Sequence, residues 1–253
     1  MNRTLNVVLH AHSLWSYDGH WTLAEIADFF GARGVDVVMM SEHDTGFEPA
    51  SFDDYRAECA SASTGKCTLV PGIEYSSPDN DIHILTWGLD HFLSEHQPVL
   101  ETLQKVKSAG GVAIFAHPVR RQAYLKFEEA FVPYLDGIEV WNRKSDGVAP
   151  GKEAKSLIAK SGLSATVGVD FHHIRHYWPL THRTNVSGDD LEQELVRAIR
   201  ERRLQPMLMG RSILNAQDEI STPLSEVLEK LRRGLKRLRP GSGSKNNKKA
   251  GKR

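Results

Sequence analysis

Two histidines, His10 and His12, stand one residue apart directly after the apolar run of residues 5–9. Such a run predicts a short buried β-strand, and residues two apart on a strand point to the same face. The two imidazoles would then meet at one spot beyond the strand, as two ligands of a single metal ion must. Two histidines in a turn, bonded to backbone, are the alternative that a His-x-His pair leaves open.

Later apolar runs are also followed by side chains that bind metals. We expect strands over residues 35–40, 68–70, 112–115 and 165–169, and the side chains after them include Glu42, His43, Asp44, Glu74, His117, Asp170 and His172. A further strand over residues 82–87 carries His83, and another over residues 137–141 ends in Asn142-Arg143-Lys144. These groups would share one edge of a sheet if the strands run parallel.

Helical patterns separate these strands. Apolar positions at helical spacing predict helices over residues 23–32, 52–62, 97–109, 124–131, 151–160 and 188–202, and a short strand follows over residues 205–208. Strands that alternate with helices favour an α/β protein with a parallel sheet. Roughly seven such units suggest a closed or nearly closed barrel, whose active site would lie at the C-terminal ends of the strands.

The order and type of these motifs resemble the PHP (polymerase and histidinol phosphatase) family. The resemblance spans residues 5–172 and rests on His-x-His, Asp18, Glu-His-Asp, Pro-Gly-Ile-Glu, Asp-Ile-His, Ala-His-Pro and Asp-Phe-His. It implies a distorted, TIM-like (β/α) barrel of seven strands. It also implies a metal cleft at the C-terminal strand ends that holds two or three divalent ions, and a metal-bound hydroxide that attacks a phosphoester.

The resemblance assigns each ligand a role. His10, His12 and Asp170 are implied for a first metal, with Glu74 bridging it to a third. Asp18, His43 and His172 are implied for a second metal, and His83 and His117 for the third. Asp18 follows His12 by six residues, one more than the commonest spacing in the family. Imidazole and carboxylate ligands without a thiolate suit Zn²⁺, Mn²⁺ or Fe²⁺, among which the sequence does not choose.

Several residues near these motifs have two interpretations. His83 inside a strand fits a metal ligand or a core histidine, and His117 fits a ligand or a turn residue. Asp44 fits a partner that orients a ligand, which we favour, or a helix cap. Five cations fit either solvated surface or a phosphate clamp: Arg120, Arg121, Arg143, Lys144 and Arg175. Four more histidines are expected on the surface or on substrate loops: His20, His173, His176 and His182.

Charge is distributed unequally along the chain. The formal net charge of the 253 residues is zero, yet residues 221–253 hold eleven Lys or Arg and two Glu, so residues 1–220 carry the opposite excess of nine negative charges. We therefore expect a metallohydrolase barrel over residues 1–220, an amphipathic basic helix over residues 221–239 and a disordered basic tail over residues 240–253.

The remaining composition fits a soluble, cytoplasmic enzyme. Cys59 and Cys67 show no Cys-x-x-Cys spacing and are expected to be free thiols. The N-terminal apolar run is too short for a signal peptide, and no apolar stretch approaches the roughly 20 residues of a membrane span.

Three functions compete on this sequence. The leading hypothesis is a stand-alone metal-dependent phosphoesterase that acts on a small phosphorylated metabolite. A nuclease for DNA or RNA ends is second, because the basic tail could bind nucleic acid but the body is acidic where a nuclease cleft should be positive. The third is a metal-stabilised scaffold without catalysis, which the complete set of ligands argues against.

Overall fold

The computed structural model describes residues 3–238. Its helices and strands alternate through most of this range. The strands are β1 (Arg3–Leu9), β2 (Val37–Met39), β3 (Glu42–His43), β4 (Thr68–Val70), β5 (Gly72–Ser76), β6 (His83–Trp87), β7 (Val112–Phe115), β8 (Gly137–Asn142), β9 (Ser164–Gly168), β10 (Leu180–Val186), β11 (Gln205–Leu208) and β12 (Arg211–Ser212). The helices are α1 (Leu23–Gly31), α2 (Phe52–Ala62), α3 (Val99–Ser108), α4 (Arg143–Asp146), α5 (Lys152–Ser161), α6 (Leu191–Arg200) and α7 (Pro223–Leu238).

The strands form two six-stranded sheets. One has the order β12-β11-β10-β1-β2-β4, and the other has the order β3-β5-β6-β7-β8-β9. The chain passes from the first sheet to the second between β2 and β3, and again between β4 and β5. The strand predicted over residues 68–70 is β4, and Glu74, which was expected after that strand, lies within a separate strand, β5.

The predicted all-parallel arrangement is wrong, and the fold is mixed α/β. Strand β6 pairs antiparallel with both β5 and β7, and β10 pairs antiparallel with β1. Only residues 77–82 join β5 to β6, whereas a parallel pair needs a crossover of about a dozen residues or more. The parallel pairs that do form include β1 with β2, β7 with β8 and β8 with β9.

Hydrogen bonds connect the two sheets where β1 and β9 end. The backbone N–H of Val169 donates to the carbonyl of Leu9 at 3.2 Å, and that of Phe171 donates to the carbonyl of His10 at 3.1 Å. Ala11 and Phe171 form an isolated parallel bridge. The first strand and the last parallel strand therefore meet at the residues that follow them, which include the predicted metal ligands.

Buried side chains on both faces of β1 hold it in the core. Val8 belongs to the apolar cluster that contains Leu23 and Ile26 of α1. Val7 and Leu9 belong to a second cluster, which contains Trp87, Leu195 and other residues. A strand covered on both faces reads as a continuous apolar run in the sequence, which is why β1 could be predicted.

Two segments differ from the sequence-based expectation. Strand β10 lies in a segment that was expected to be a loop. The strand was missed because its buried side carries the polar His182 and Thr184 between the apolar Leu180 and Val186. Residues 124–131, expected to be helical, belong to 3₁₀ turns over Arg120–Lys126 and Glu129–Tyr134. His182 is fully buried in β10, so its predicted place on the surface is wrong.

Helix α7 lies within residues 221–239, where the amphipathic basic helix is expected, and the predicted tail over residues 240–253 lies outside the described residues. Cys59 and Cys67 are buried free thiols, as expected. Within residues 3–238, no helix combines the length and the apolar character needed to cross a membrane.

Candidate metal centre

His10 and His12 come together, although not on a regular strand. Strand β1 ends at Leu9, and His10 adopts a positive φ of 71°. The N–H of His12 then donates to the carbonyl of Phe171 at 2.8 Å. The two ring centroids lie 5.2 Å apart. A turn held against β9, rather than strand periodicity, therefore brings these two imidazoles to one place.

The left-handed backbone of His10 recurs at two other predicted ligands. His117 after β7 has φ 27° and Asp170 after β9 has φ 51°. Residues other than glycine rarely adopt positive φ, and such conformations concentrate at functional sites because surrounding contacts must hold them. The three strand ends thus turn sharply at the residues whose side chains enter the cleft.

Glu74 of β5 lies at the centre of the cluster and uses both carboxylate oxygens. Its Oε2 lies 3.4 Å from His10 Nε2, 3.3 Å from His12 Nε2 and 3.2 Å from His43 Nδ1. Its Oε1 lies 2.7 Å from His83 Nδ1 and 2.8 Å from His117 Nε2. One buried carboxylate therefore stands between two groups of imidazoles, as a bridging ligand would.

Two aspartates complete the cluster. Asp170 Oδ1 lies 3.7 Å from Nε2 of both His10 and His12, and 3.2 Å from His172 Nδ1. Asp18 contacts His43 Nε2 at 3.3 Å through Oδ1 and His172 Nε2 at 3.2 Å through Oδ2. The extra residue between His12 and Asp18 does not keep Asp18 from the other ligands.

The structure brings all nine predicted ligands into one cleft. Eight of them form four overlapping groups of three, whose ligand atoms lie within 4.8 Å of one another. The groups are His12, His43 and His172; His10, His117 and Asp170; His10, His12 and Glu74; and His43, Glu74 and His83. Asp18 joins through His43 and His172.

Burial and mutual contact set the protonation of the cluster. Burial raises the pKa of Glu74, but the neighbouring His83 and His10 outweigh it and hold this pKa well below its usual value. Burial, His172 and His43 hold the pKa of His12 well below 6.5. Glu74 is thus anionic and His12 neutral, which are the forms that bind cations.

His10 differs from His12 in its charge environment. Burial lowers the pKa of His10, but Glu139, Asp170 and Glu74 outweigh burial and raise this pKa well above 6.5. A site with three carboxylates around one buried imidazole favours positive charge at that position. A divalent cation supplies such charge.

Glu139 of β8 contacts the cluster of predicted ligands, and sequence analysis missed it. Its Oε1 lies 2.7 Å from His10 Nδ1. Its Oε2 accepts hydrogen bonds from the N–H of His117 at 2.8 Å and from Asn142 Nδ2 at 3.0 Å. Gly168 leaves room for it, because a Cβ at that position would overlap Glu139 Oε1. No motif marked Glu139, which sits inside the apolar strand.

Glu42 supports the opposite side of the cluster. It is fully buried and accepts hydrogen bonds from Ser13 N at 3.0 Å and Ser16 Oγ at 2.5 Å. Ser16 Oγ in turn lies 3.3 Å from His12 Nδ1 and accepts from the N–H of His43 at 2.9 Å. Glu42 therefore fixes the loop between His12 and Asp18, although it lies next to a ligand rather than in the cluster.

Asp44 does not contact a ligand imidazole by hydrogen bond. Its Oδ2 accepts from the backbone N–H groups of Ser76 at 3.0 Å and His96 at 3.1 Å. Its expected role in orienting a ligand ring is therefore not what the contacts show. Asp44 instead fastens the end of β5, two residues beyond Glu74, to the loop that contains His96.

The predicted phosphate-binding cations divide into two groups. Arg120 and Lys144 line the cleft, a cavity of about 180 Å³. Arg120 Nη1 lies 3.0 Å from His83 Nε2, and Lys144 Nζ lies 3.4 Å from Asp170 Oδ1. The other three do not line this cavity. Arg121 pairs with Asp81 at 3.6 Å, Arg143 stacks on Trp178, and Arg175 contacts His176.

Tyr17 is a second residue that sequence analysis missed. Its ring stacks on that of His43, with centroids 5.1 Å apart and planes at 22°. It lines the cavity and remains largely exposed. Its place on the loop between His12 and Asp18 offered no signal beyond its proximity to those ligands.

The residues fit divalent metal ions. The buried Nε2 atoms of His10 and His12 lie 3.3–3.4 Å from Glu74 Oε2 but form no hydrogen bond of acceptable geometry with any atom of residues 3–238. The same is true of Asp18 Oδ1 beside His43. Buried polar atoms normally have a partner, so these atoms are oriented for a group other than protein. Imidazole nitrogens and carboxylate oxygens are the donors that Zn²⁺, Mn²⁺ and Fe²⁺ accept.

Comparison with solved structures places this cleft in a known fold. One similar structure is a two-domain protein from Bacteroides vulgatus that contains a predicted PHP-like metal-dependent phosphoesterase. The alignment covers 84% of this chain and 66% of that protein, at TM-score 0.62 and 18% identity. PsfC from Pseudomonas syringae aligns over 92% and 99%, at TM-score 0.62 and 15% identity. The chain has a PHP-like fold. This confirms the resemblance seen in the sequence at the level of the fold.

The same PHP-like fold occurs in a nuclease. A lesion-specific endonuclease from Pyrococcus furiosus aligns with 84% of this chain at TM-score 0.59 and 15% identity, and the chain spans 58% of that protein. The comparisons with protein-family models and with curated proteins found no match.

Proposed function

We propose that this protein is a metal-dependent phosphoesterase that hydrolyses a small phosphorylated metabolite. The observation that carries the proposal is the central position of Glu74, whose two oxygens face separate groups of imidazoles at 2.7–3.4 Å. A carboxylate shared in this way holds neighbouring cations at a fixed spacing and offsets their mutual repulsion.

The contacts support the three ligand sets that the family resemblance implies. His10, His12, Asp170 and Glu74 would hold one ion; His43, His172 and Asp18 a second; and His83, His117 and Glu74 a third. When bound, such ions lower the pKa of a water molecule and stabilise the oxygens that attack and leave phosphorus. No serine or cysteine nucleophile is then needed.

The cations in the cleft would orient the phosphoryl group. Arg120 can present its planar guanidinium to two phosphate oxygens. Lys144 can neutralise a third oxygen from the opposite wall, next to Asp170 and His172. Tyr17, largely exposed at the mouth, would contact the remainder of the substrate and exclude water from the reacting group.

The size of the cleft favours a small substrate. Its cavity of about 180 Å³ is lined by three carboxylates, Asp18, Glu74 and Asp170, and by two non-histidine cations, Arg120 and Lys144. A groove for a nucleic acid backbone is ordinarily lined by many cations. These features fit a phosphomonoester better than a polymer.

We further propose that the strands form the distorted seven-stranded barrel implied by the sequence. The members in order would be β1, β2 with β3, β4 with β5, β6, β7, β8 and β9. The hydrogen bonds from Val169 and Phe171 to Leu9 and His10 support closure between the first and last members.

A substrate screen tests the phosphoesterase. Protein loaded with Mn²⁺ or Zn²⁺ is incubated with sugar, nucleotide and amino-alcohol phosphates, and released phosphate is measured. We expect turnover of at least one class. We expect Arg120→Gln to raise KM about tenfold or more, equivalent to one charge-assisted hydrogen bond. Arg121→Gln, one position away but outside the cavity, is the matched control. No turnover by fully metal-loaded protein would overturn the proposal.

The endonuclease from Pyrococcus furiosus motivates nuclease activity as the second candidate. Labelled single-stranded and double-stranded DNA, RNA and a duplex with an abasic site would be incubated with the same metal-loaded protein. Cleavage of any of these faster than the phosphomonoesters would place the nuclease first.

A further inference from the structure

Helix α7 turns its apolar side away from the rest of the molecule. Five aliphatic side chains keep between 47% and 72% of their surface exposed: Leu224, Val227, Leu228, Leu231 and Leu235. Their spacing of three and four residues places them along one stripe of the helix. A surface helix ordinarily packs this stripe against the protein core, so the exposed stripe indicates another apolar environment.

Polar contacts fix this unusual orientation. Among the side chains of α7 that the structure describes, those of Ser225 and Glu229 are buried, and Glu229 Oε2 accepts a hydrogen bond from the N–H of Val148 at 3.2 Å. Glu226 pairs with Lys155 at 2.6 Å. The packing at Gly147 is close, because a Cβ there would overlap Glu229. The helix therefore docks by its polar side.

The charged residues of α7 follow the same division between an exposed apolar side and a docked polar side. Lys230 precedes Leu231 and lies about 100° from it, at one border of the stripe. Arg232, at the other border, pairs with Glu229 at 2.6 Å. Both acidic residues, Glu226 and Glu229, face the body instead. After Glu229 the sequence contains no further acidic residue, and residues 239–253 add six Lys or Arg. The stripe is thus bordered by basic residues.

We propose that α7 binds the surface of an anionic membrane through this stripe. A helix with an apolar stripe and basic borders lies in the interface plane, where its apolar side enters the acyl boundary and its lysines and arginines reach the headgroups. Each basic residue near such a surface contributes roughly fivefold in affinity. The proposal extends beyond the phosphoesterase and does not depend on it.

Two other partners of the apolar stripe, a second copy of α7 and a nucleic acid, fit less well. A second copy of α7 packed stripe to stripe would bring Lys230 of both copies towards each other, where like charges repel. Nucleic acid would use the cations but leave five aliphatic side chains in water. An anionic lipid surface is the partner that can contact both the aliphatic side chains of the stripe and the basic residues beside it.

Vesicle binding tests the proposal. Full-length protein is sedimented with vesicles of phosphatidylcholine alone, or of phosphatidylcholine and phosphatidylserine in equal amounts. We expect binding to the mixed vesicles to exceed that to the neutral ones at least tenfold, and to weaken as salt rises. The double variant Leu231→Ser/Leu235→Ser should bind at least tenfold more weakly, because each leucine loses its transfer to an apolar phase. Lys230→Glu should also weaken binding about tenfold or more.

Matched controls separate the stripe from the rest of the surface. Leu125→Ser and Lys66→Glu change an exposed leucine and an exposed lysine elsewhere, and they should bind as wild type does. The melting temperature of the double variant should stay unchanged, because Leu231 and Leu235 are exposed. Equal binding to both vesicle types, or none, would overturn the proposal. So would a dimer that the double variant converts to a monomer, or stronger binding to duplex DNA than to the vesicles.

Discussion

Glu139 Oε1 lies 2.7 Å from His10 Nδ1, although 129 positions separate the two residues. The same carboxylate accepts the N–H of His117 through its other oxygen. Glu139 therefore orients the ring of one predicted metal ligand, His10, and the backbone of a second, His117. A carboxylate behind a metal-binding histidine fixes the ring and increases its basicity.

Glu139→Gln should weaken metal binding about 10–100-fold, the usual cost of removing such a partner. Glutamine keeps the shape but loses the charge that faces His10. Metal affinity is measured by competition with a chelator of known affinity, without reference to activity. Glu48→Gln, at an exposed position, should leave the affinity unchanged. Wild-type affinity in Glu139→Gln would show that this contact does not support the ligand.

Glu74→Gln should lower kcat about a hundredfold or more, with metal content measured in the same sample. The carboxylate between the two groups of imidazoles would lose its charge and one anionic donor. Each 1.36 kcal/mol of lost transition-state stabilisation is about tenfold in rate. Glu48→Gln again serves as the control. A variant that retains its metals and near wild-type kcat would contradict the bridging role.

Removal of metal should lower both activity and thermal stability. The ligands meet only in the folded chain, so the free energy of metal binding adds to the free energy of unfolding. At a free metal concentration about 100 times Kd, the gain is about 2.7 kcal/mol, or roughly 5–10 °C in Tm for a chain of this size. Differential scanning calorimetry with EDTA and with added Mn²⁺ measures the shift. Identical Tm values in the two samples would argue against a bound metal.

Buried His182 should make stability depend on pH. Burial lowers its pKa to about 3, and its Nε2 accepts the N–H of Val167 at 3.1 Å, which requires the neutral ring. In the unfolded chain the pKa is about 6.5. Between these values the unfolded state binds more protons, so the contribution of His182 is complete above pH 6.5 and declines as pH falls.

Urea unfolding of wild type and His182→Gln, both in EDTA, measures this contribution. Glutamine can still accept a hydrogen bond but does not titrate. From pH 6.5 to pH 5 the stability of wild type relative to the variant should fall by about 2 kcal/mol. The exposed His20→Gln is the control. A constant difference between wild type and His182→Gln at the two pH values would contradict the assignment.

The side chains that the structure brings together in the cleft could be predicted from the sequence. His10, His12, His43 and Asp170 each follow a short apolar run, and such runs indicate buried strands because local composition sets burial. The motif order then matched a known family, so the donor types and the divalent metals followed without tertiary information. The place of α7 in the chain could also be predicted, because its apolar residues repeat at helical spacing.

The tertiary structure decided which residues support those ligands and which surfaces remain exposed. Glu139 and Glu42 resemble ordinary strand residues in the sequence, and only contacts across the fold place them behind His10 and next to Ser16. The order of the strands in the sheets could not be predicted. Strand β6 is antiparallel because its connection to β5 is short, and the buried side of β10 is partly polar. Helix periodicity located the leucine stripe of α7, but the direction it faces depends on the polar contacts of Glu229 with a distant loop. Such contacts join residues far apart in sequence, and local patterns carry no information about them.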